Sequence, residues 1–142
     1  MKKYLKLTTL MMIFVALFSA CEKEDDENNA FAEEEPNGTF ATANELTLTD
    51  IYDAKINPAQ DKDYFVISAS KDLKLIIDGD SNLELYFYVY DENQVQIYGG
   101  DTGSRGASFT QDIASTEYNG KVYVMIESAY PDDTGNYTIK IE

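Results

Sequence analysis

The run Leu83-Glu84-Leu85-Tyr86-Phe87-Tyr88-Val89-Tyr90 constrains this chain more than any other stretch, because two side-chain sets alternate strictly along it. A strand sends successive side chains to opposite faces, whereas a helix would scatter these residues around its circumference. Leu83, Leu85, Phe87 and Val89 therefore share one face, and Glu84, Tyr86, Tyr88 and Tyr90 share the other. The first set is core, and burying each member is worth roughly 1.5–3 kcal/mol. The second set suits a half-wet surface, since tyrosine joins an apolar ring to a hydroxyl that stays in water or on a partner. Asp91-Glu92-Asn93 ends the strand with turn-forming residues.

Seven further runs read the same way: 51–56, 64–69, 73–77, 95–98, 108–113, 122–128 and 137–141. Turn residues separate them, among them Asn57-Pro58, Asp78-Gly79-Asp80, Gly99-Gly100-Asp101, Asn119-Gly120 and Pro131-Asp132-Asp133-Thr134-Gly135. The pattern predicts an all-β fold, a jelly-roll-like β-sandwich of about eight antiparallel strands. Only Phe40 to Leu46 reads as a brief helical turn. A chain of 142 residues supplies one core, so a single domain over 36–142 is expected.

Ahead of that domain the composition changes twice. Residues 1–20 carry Lys2, Lys3 and Lys6, then the apolar run Leu10 to Phe18, then Ser19-Ala20 before Cys21. The run is too short to span a bilayer comfortably, and small residues before a cysteine mark an export signal. Leu17-Phe18-Ser19-Ala20-Cys21 resembles the lipobox of bacterial lipoproteins, with Phe18 departing from the leucine usual there. Cys21 is the sole cysteine, so no internal disulfide exists and acylation of an N-terminal cysteine accounts for it. Residues 21–35 hold eight acids and one lysine, a composition that favours a flexible tether over a packed element. The start of this tether, Cys21-Glu22-Lys23-Glu24-Asp25-Asp26, looks like the acidic surface-export signal of lipoproteins of the Bacteroidetes. The expected location is the bacterial outer membrane, lipid-anchored and facing outward; a periplasm-facing lipoprotein with a charged spacer is the alternative.

Composition excludes several chemistries. The chain has no histidine, which removes Ser-His-Asp triads, Cys-His dyads, HExxH zinc sites and imidazole acid–base catalysis from the chain acting alone. Its formal net charge is −15, and loss of the leader would remove three lysines and no acid, making it more acidic still. Nucleic acid is not an expected partner for such a chain.

Several landmarks, taken in order, resemble the bacterial pre-peptidase C-terminal domain, which is related to the collagen-binding domains of clostridial collagenases. Glu35-Pro36-Asn37-Gly38-Thr39-Phe40-Ala41-Thr42-Ala43-Asn44 is similar to the family's opening, and Asp61-Lys62-Asp63-Tyr64-Phe65 to its D-x-D-Y-[FY] strand entry. Leu83 to Asp91, Gly120-Lys121-Val122-Tyr123-Val124 and Gly135-Asn136-Tyr137-Thr138-Ile139-Lys140-Ile141 resemble the later landmarks. The family is a β-sandwich usually appended to secreted peptidases; here the module is expected to stand on a lipid without a peptidase domain. The resemblance also implies a calcium site on Glu33, Glu35, Asn37, Asp61 and Asp63. Calcium takes six to eight oxygens, and carboxylates plus an amide carbonyl from two segments supply most of such a shell. Gly38 stands where the family often has an acid and so removes one expected ligand.

Asp101-Thr102-Gly103-Ser104 spells the aspartic-protease signature, but that mechanism needs two aspartates sharing a proton and the sequence has one copy, preceded by glycines. A hairpin loop is the better reading, and no catalytic residues are assigned. A glycosidase working with carboxylates alone is disfavoured because no acidic pair stands apart from the turn aspartates. Tyr86, Tyr88, Tyr90 and Tyr98 are the candidate ligand-binding residues, weighed against packing against the opposite sheet or under a covering loop. The expected function is a non-catalytic binding or accessory module on the cell surface, calcium-stabilised, for an extracellular protein, peptide or glycan. The alternative is a partner or chaperone of a secreted peptidase acting in trans.

Overall fold

The computed structural model describes residues 30–142, so the expected leader, Cys21 and the first half of the acidic segment lie outside the described residues. Ten strands follow one another: β1 (Ala30–Ala32), β2 (Asn44–Glu45), β3 (Ile51–Ile56), β4 (Lys62–Ser68), β5 (Leu73–Gly79), β6 (Leu85–Tyr90), β7 (Gln96–Asp101), β8 (Ser108–Ile113), β9 (Lys121–Ser128) and β10 (Gly135–Ile141). They form two five-stranded sheets, ordered β1-β3-β10-β5-β8 and β2-β4-β9-β6-β7. From β3 onward each strand crosses to the opposite sheet except at β6–β7, the one hairpin between paired neighbours. This alternation over eight antiparallel strands is jelly-roll order. Among the described residues no helix is long and apolar enough to cross a membrane.

Period-two alternation creates the core. Phe65 and Ile67 of β4, Leu75 and Ile77 of β5, Leu85, Phe87 and Val89 of β6, Val122, Val124 and Ile126 of β9, and Ile139 and Ile141 of β10 all face between the sheets and are buried. Phe87 meets Phe109 of β8 at 4.3 Å between ring centroids, joining the two sheets near their open edges. Its ring also explains a glycine: a Cβ on Gly100 would lie 3.1 Å from it. Leu83 is buried as expected, but it sits ahead of β6 in the turn closed by its own N–H on Asp80 O.

The fold departs from the sequence expectation at its N-terminal edge. The expected tether ends earlier than residue 35, because Ala30–Ala32 pairs in parallel with β3 and Glu33 N continues the ladder to Asp53 O. Phe40 to Leu46 is a turn leading into β2, with no helix; Thr42 N bonds Thr39 O, and Asn44–Glu45 pairs in parallel with β4. Neither two nor three residues can show a period, and these pieces exist because β3 and β4 offer unpaired backbone groups at the sheet edges.

Candidate cation cluster and tyrosine face

Strand β4 builds two sites at once, one on each of its faces. Asp63 points inward and is fully buried, while Tyr64, the next residue, points outward. Opposite Asp63, the segment after β1 folds back over the sheet edge and brings Glu33, Glu35 and Asn37 to it. Glu33, Glu35 and Asp63 each place a carboxylate oxygen within 4.8 Å of the others. Two Ca–O bonds of 2.3–2.6 Å on opposite sides of an ion span roughly 4.6–5.2 Å, so these oxygens fit within one coordination sphere.

The hydrogen bonds define what remains free. Glu33 accepts from Lys55 N at 2.5 Å and from Asn37 Nδ2 at 3.1 Å. Glu35 Oε2 accepts from Asn37 N at 2.9 Å, and Asp63 Oδ2 accepts from the buried Tyr137 hydroxyl at 2.5 Å. Asn37 Oδ1 and Asp63 Oδ1 are both buried without any hydrogen-bond partner. Two orphaned oxygens beside clustered carboxylates are costly unless something positive meets them. The donors are all oxygen, which suits a hard cation such as calcium and not a thiolate- or imidazole-seeking metal.

Protonation is perturbed in the sense that crowding predicts. Burial, opposed by the Tyr137 hydrogen bond and reinforced by Glu33, Asp61 and Glu35, pushes the Asp63 carboxyl up to about 8. Burial likewise raises Glu33, against its hydrogen bonds from Lys55 and Asn37. Tyr137 is raised well above the usual phenol range, first by burial and then by the Asp63 charge.

Asp61 does not join this group. Its Oδ2 accepts from Asn57 N at 3.1 Å and its Oδ1 from Lys62 N at 2.9 Å, while its own N–H bonds Pro58 O. With both oxygens engaged in closing the 57–62 turn, Asp61 acts on the cluster only through its field. The resemblance put both aspartates in one site, but the strand entry turns Asp61 toward its own loop.

The outward face of the second sheet is a cross-strand grid. Register places Lys62, Glu127, Tyr86 and Asp101 in one row, Tyr64, Met125, Tyr88 and Gly99 in the next, and Val66, Tyr123, Tyr90 and Gln96 in the third. Tyr86 is 37% exposed, whereas Met125 is only 5% exposed although it faces away from the main core. Register puts Tyr64 and Tyr88 directly on either side of it. Gly99 gives the Tyr88 ring room on its other side, since a Cβ there would lie 3.2 Å from Tyr88 Cδ1. Partial burial raises both Tyr88 and Tyr90, with the Glu127 charge adding to Tyr88. Lys62 and Glu127 form an ion pair at 2.9 Å, so two acids occupy the grid and one of them is paired.

Tyr86, Tyr88 and Tyr90 thus share a face, but Tyr98 is not with them. It stands opposite Val89, on the inward side of β7, packs against the main core and donates its hydroxyl to the Glu117 carboxylate. A bulge between Val89 and Tyr90 inserts Ile97 and sets that register. Tyr64, Tyr123 and Met125 were missed from the sequence. Alternation in Asp63-Tyr64-Phe65 and Val122-Tyr123-Val124 signals that both tyrosines point outward, but only register makes them neighbours of β6. The Asp101-Thr102-Gly103-Ser104 stretch is a loop: Thr102 Oγ1 accepts from Leu85 N and donates to Ser104 O, and Gly103 takes φ +78°.

This architecture has solved counterparts. The pre-peptidase C-terminal domain of a collagenase from Bacillus anthracis superposes with a TM-score of 0.55 at 13% identity, covering 70% of this chain and 94% of that one. The chain has that domain's fold. A periplasmic inhibitor of g-type lysozyme from Aeromonas hydrophila aligns more loosely, with a TM-score of 0.45 and 12% identity over 80% of this chain and 96% of that one. No protein-family model and no curated protein sequence matches the chain. At these identities the pre-peptidase C-terminal likeness speaks for architecture alone.

Proposed function

We propose that this pre-peptidase C-terminal-like domain is a non-catalytic binding module that holds an extracellular protein, peptide or glycan on its tyrosine face. The observation that carries this reading is the grid of Tyr64, Tyr86, Tyr88, Tyr90 and Tyr123 around Met125. Tyrosines on a rigid strand offer contact area at small entropic cost, and their hydroxyls stay available for hydrogen bonds. Calcium at Glu33, Glu35, Asn37 and Asp63 would brace the edge beside this face, with Kd of about 0.1–1 mM, the range of extracellular modules. Acylation at Cys21 and the acidic residues after it would hold the module outside the cell, on the outer membrane.

The test is binding of the purified domain to glycan and extracellular-protein arrays in millimolar calcium, beside a Tyr86→Ala/Tyr88→Ala double variant. Signal on a defined ligand that the double variant loses while keeping its melting temperature supports the reading. Equal binding by both proteins overturns the face assignment. Capture of a secreted peptidase from the same cell envelope, with blank arrays, would instead favour the trans-acting partner.

A further inference from the structure

Phe40 links the two sites. It sits on the turn between Thr39 and Thr42, three residues after Asn37, and its ring lies edge-on to Tyr64, Tyr90 and Tyr123 at 4.8, 5.1 and 5.3 Å. The segment carrying it starts inside the molecule, where Asn37 is fully buried, and crosses the sheet edge to lie on the outward face. Its inner end is part of the carboxylate cluster through Asn37. The Asn37 carbonyl accepts from both Thr39 N and Tyr64 N, so the residue that enters the cluster also sets the turn and grips the strand beneath Phe40. The Asn44 side chain ties the far end back to Glu34 and Asn37.

Resting on the reading of the cluster as a calcium site and of the tyrosine face as the binding surface, we propose that Phe40 is a calcium-set cap on that face. With calcium bound, Asn37 is held, the 37–43 segment is fixed, and Phe40 covers Tyr64, Tyr90 and Tyr123, leaving Tyr86 and Tyr88 as the open part. Without the ion, repulsion between Glu33 and Glu35 and the unmet oxygens of Asn37 and Asp63 loosen the inner end of the segment. Phe40 then leaves the three tyrosines, and the face presents a larger and differently shaped aromatic surface. Calcium would in this way select which part of the grid a ligand meets.

The chain contains eleven tyrosines and no tryptophan, so its near-ultraviolet circular dichroism reports the tyrosines directly. The domain is titrated with calcium chloride at constant ionic strength, with magnesium as control, while that band and the melting temperature are followed in wild type, Phe40→Ala, Phe40→Leu and Asp63→Asn. The expected result is a calcium-specific rise in melting temperature together with a change in the tyrosine band. Both Phe40 variants keep the rise and lose most of the band change, and Asp63→Asn loses most of both. A wild-type rise without a band change, or a band change undiminished in Phe40→Leu, overturns the cap while the cation site stands. Absence of any calcium-specific rise in wild type overturns the cation site and the cap with it.

Discussion

Replacing Asp63 with asparagine isolates the cost of one buried carboxyl. Asparagine keeps the shape and can still accept the Tyr137 hydroxyl, but it carries no charge. In the folded domain without metal the Asp63 carboxyl titrates at about 8, against 3.8 for an ordinary aspartate. Between these values the unfolded chain has released the proton and the folded chain still holds it, so raising the pH favours unfolding. The penalty is absent below the unfolded value and complete above the folded one. Its slope is about 1.4 kcal/mol per pH unit, so from pH 5 to 7 the wild type loses roughly 2.7 kcal/mol through this group. At about 4 °C per kcal/mol for a domain of this size, the melting temperature falls by roughly 10 °C. The assay is a series of thermal melts of the soluble domain in chelator across that range, for wild type and Asp63→Asn at matched ionic strength. The difference between the two curves removes the background from other acids, and Asp63→Asn should gain on wild type steadily as pH rises. Millimolar calcium, which favours the ionised carboxylate, should flatten the wild-type curve. Parallel wild-type and variant curves in chelator would refute the argument that Asp63 is buried against its charge.

Other perturbations address the fold and the anchor. Phe87→Ala should cost roughly 3–5 kcal/mol in denaturant melts by opening a cavity against Phe109, whereas Tyr88→Ala on the outward face should cost much less; equal losses would contradict the register. Gly106→Ala should destabilise by about 1–3 kcal/mol in the same melts, because φ is +70° there and a Cβ would lie 2.8 Å from Ser81 Cα. The proposed acylation of Cys21 is checked by cell fractionation: Cys21→Ala should shift the protein into the soluble fraction, since two or three acyl chains at about 0.8 kcal/mol per buried methylene would anchor the wild type firmly. A wild type already soluble would refute it.

Strand identity and inside–outside assignment were legible in the sequence because period-two alternation is a local property of each strand. All eight long strands lie where alternation and turn residues place them, within a few residues at each end. The resemblance, carried by local motifs, also named the residues that the fold clusters, Glu33, Glu35, Asn37 and Asp63. Glu33, Glu35 and Asn37 are close along the chain, and Asp63 stands next to Tyr64 on one strand. What depends on pairing between strands was not legible. Register alone made Tyr64, Tyr123 and Met125 neighbours of Tyr86, Tyr88 and Tyr90, and one bulged residue turned Tyr98 to the inside. Loop geometry alone engaged both Asp61 oxygens with its own turn and carried Phe40 over the sheet edge. The short strands β1 and β2 likewise exist only by docking on edges that other strands create. Local periodicity determines which way a side chain points; which residues it meets there is set by backbone pairing between segments far apart in the chain, and only the folded molecule decides that.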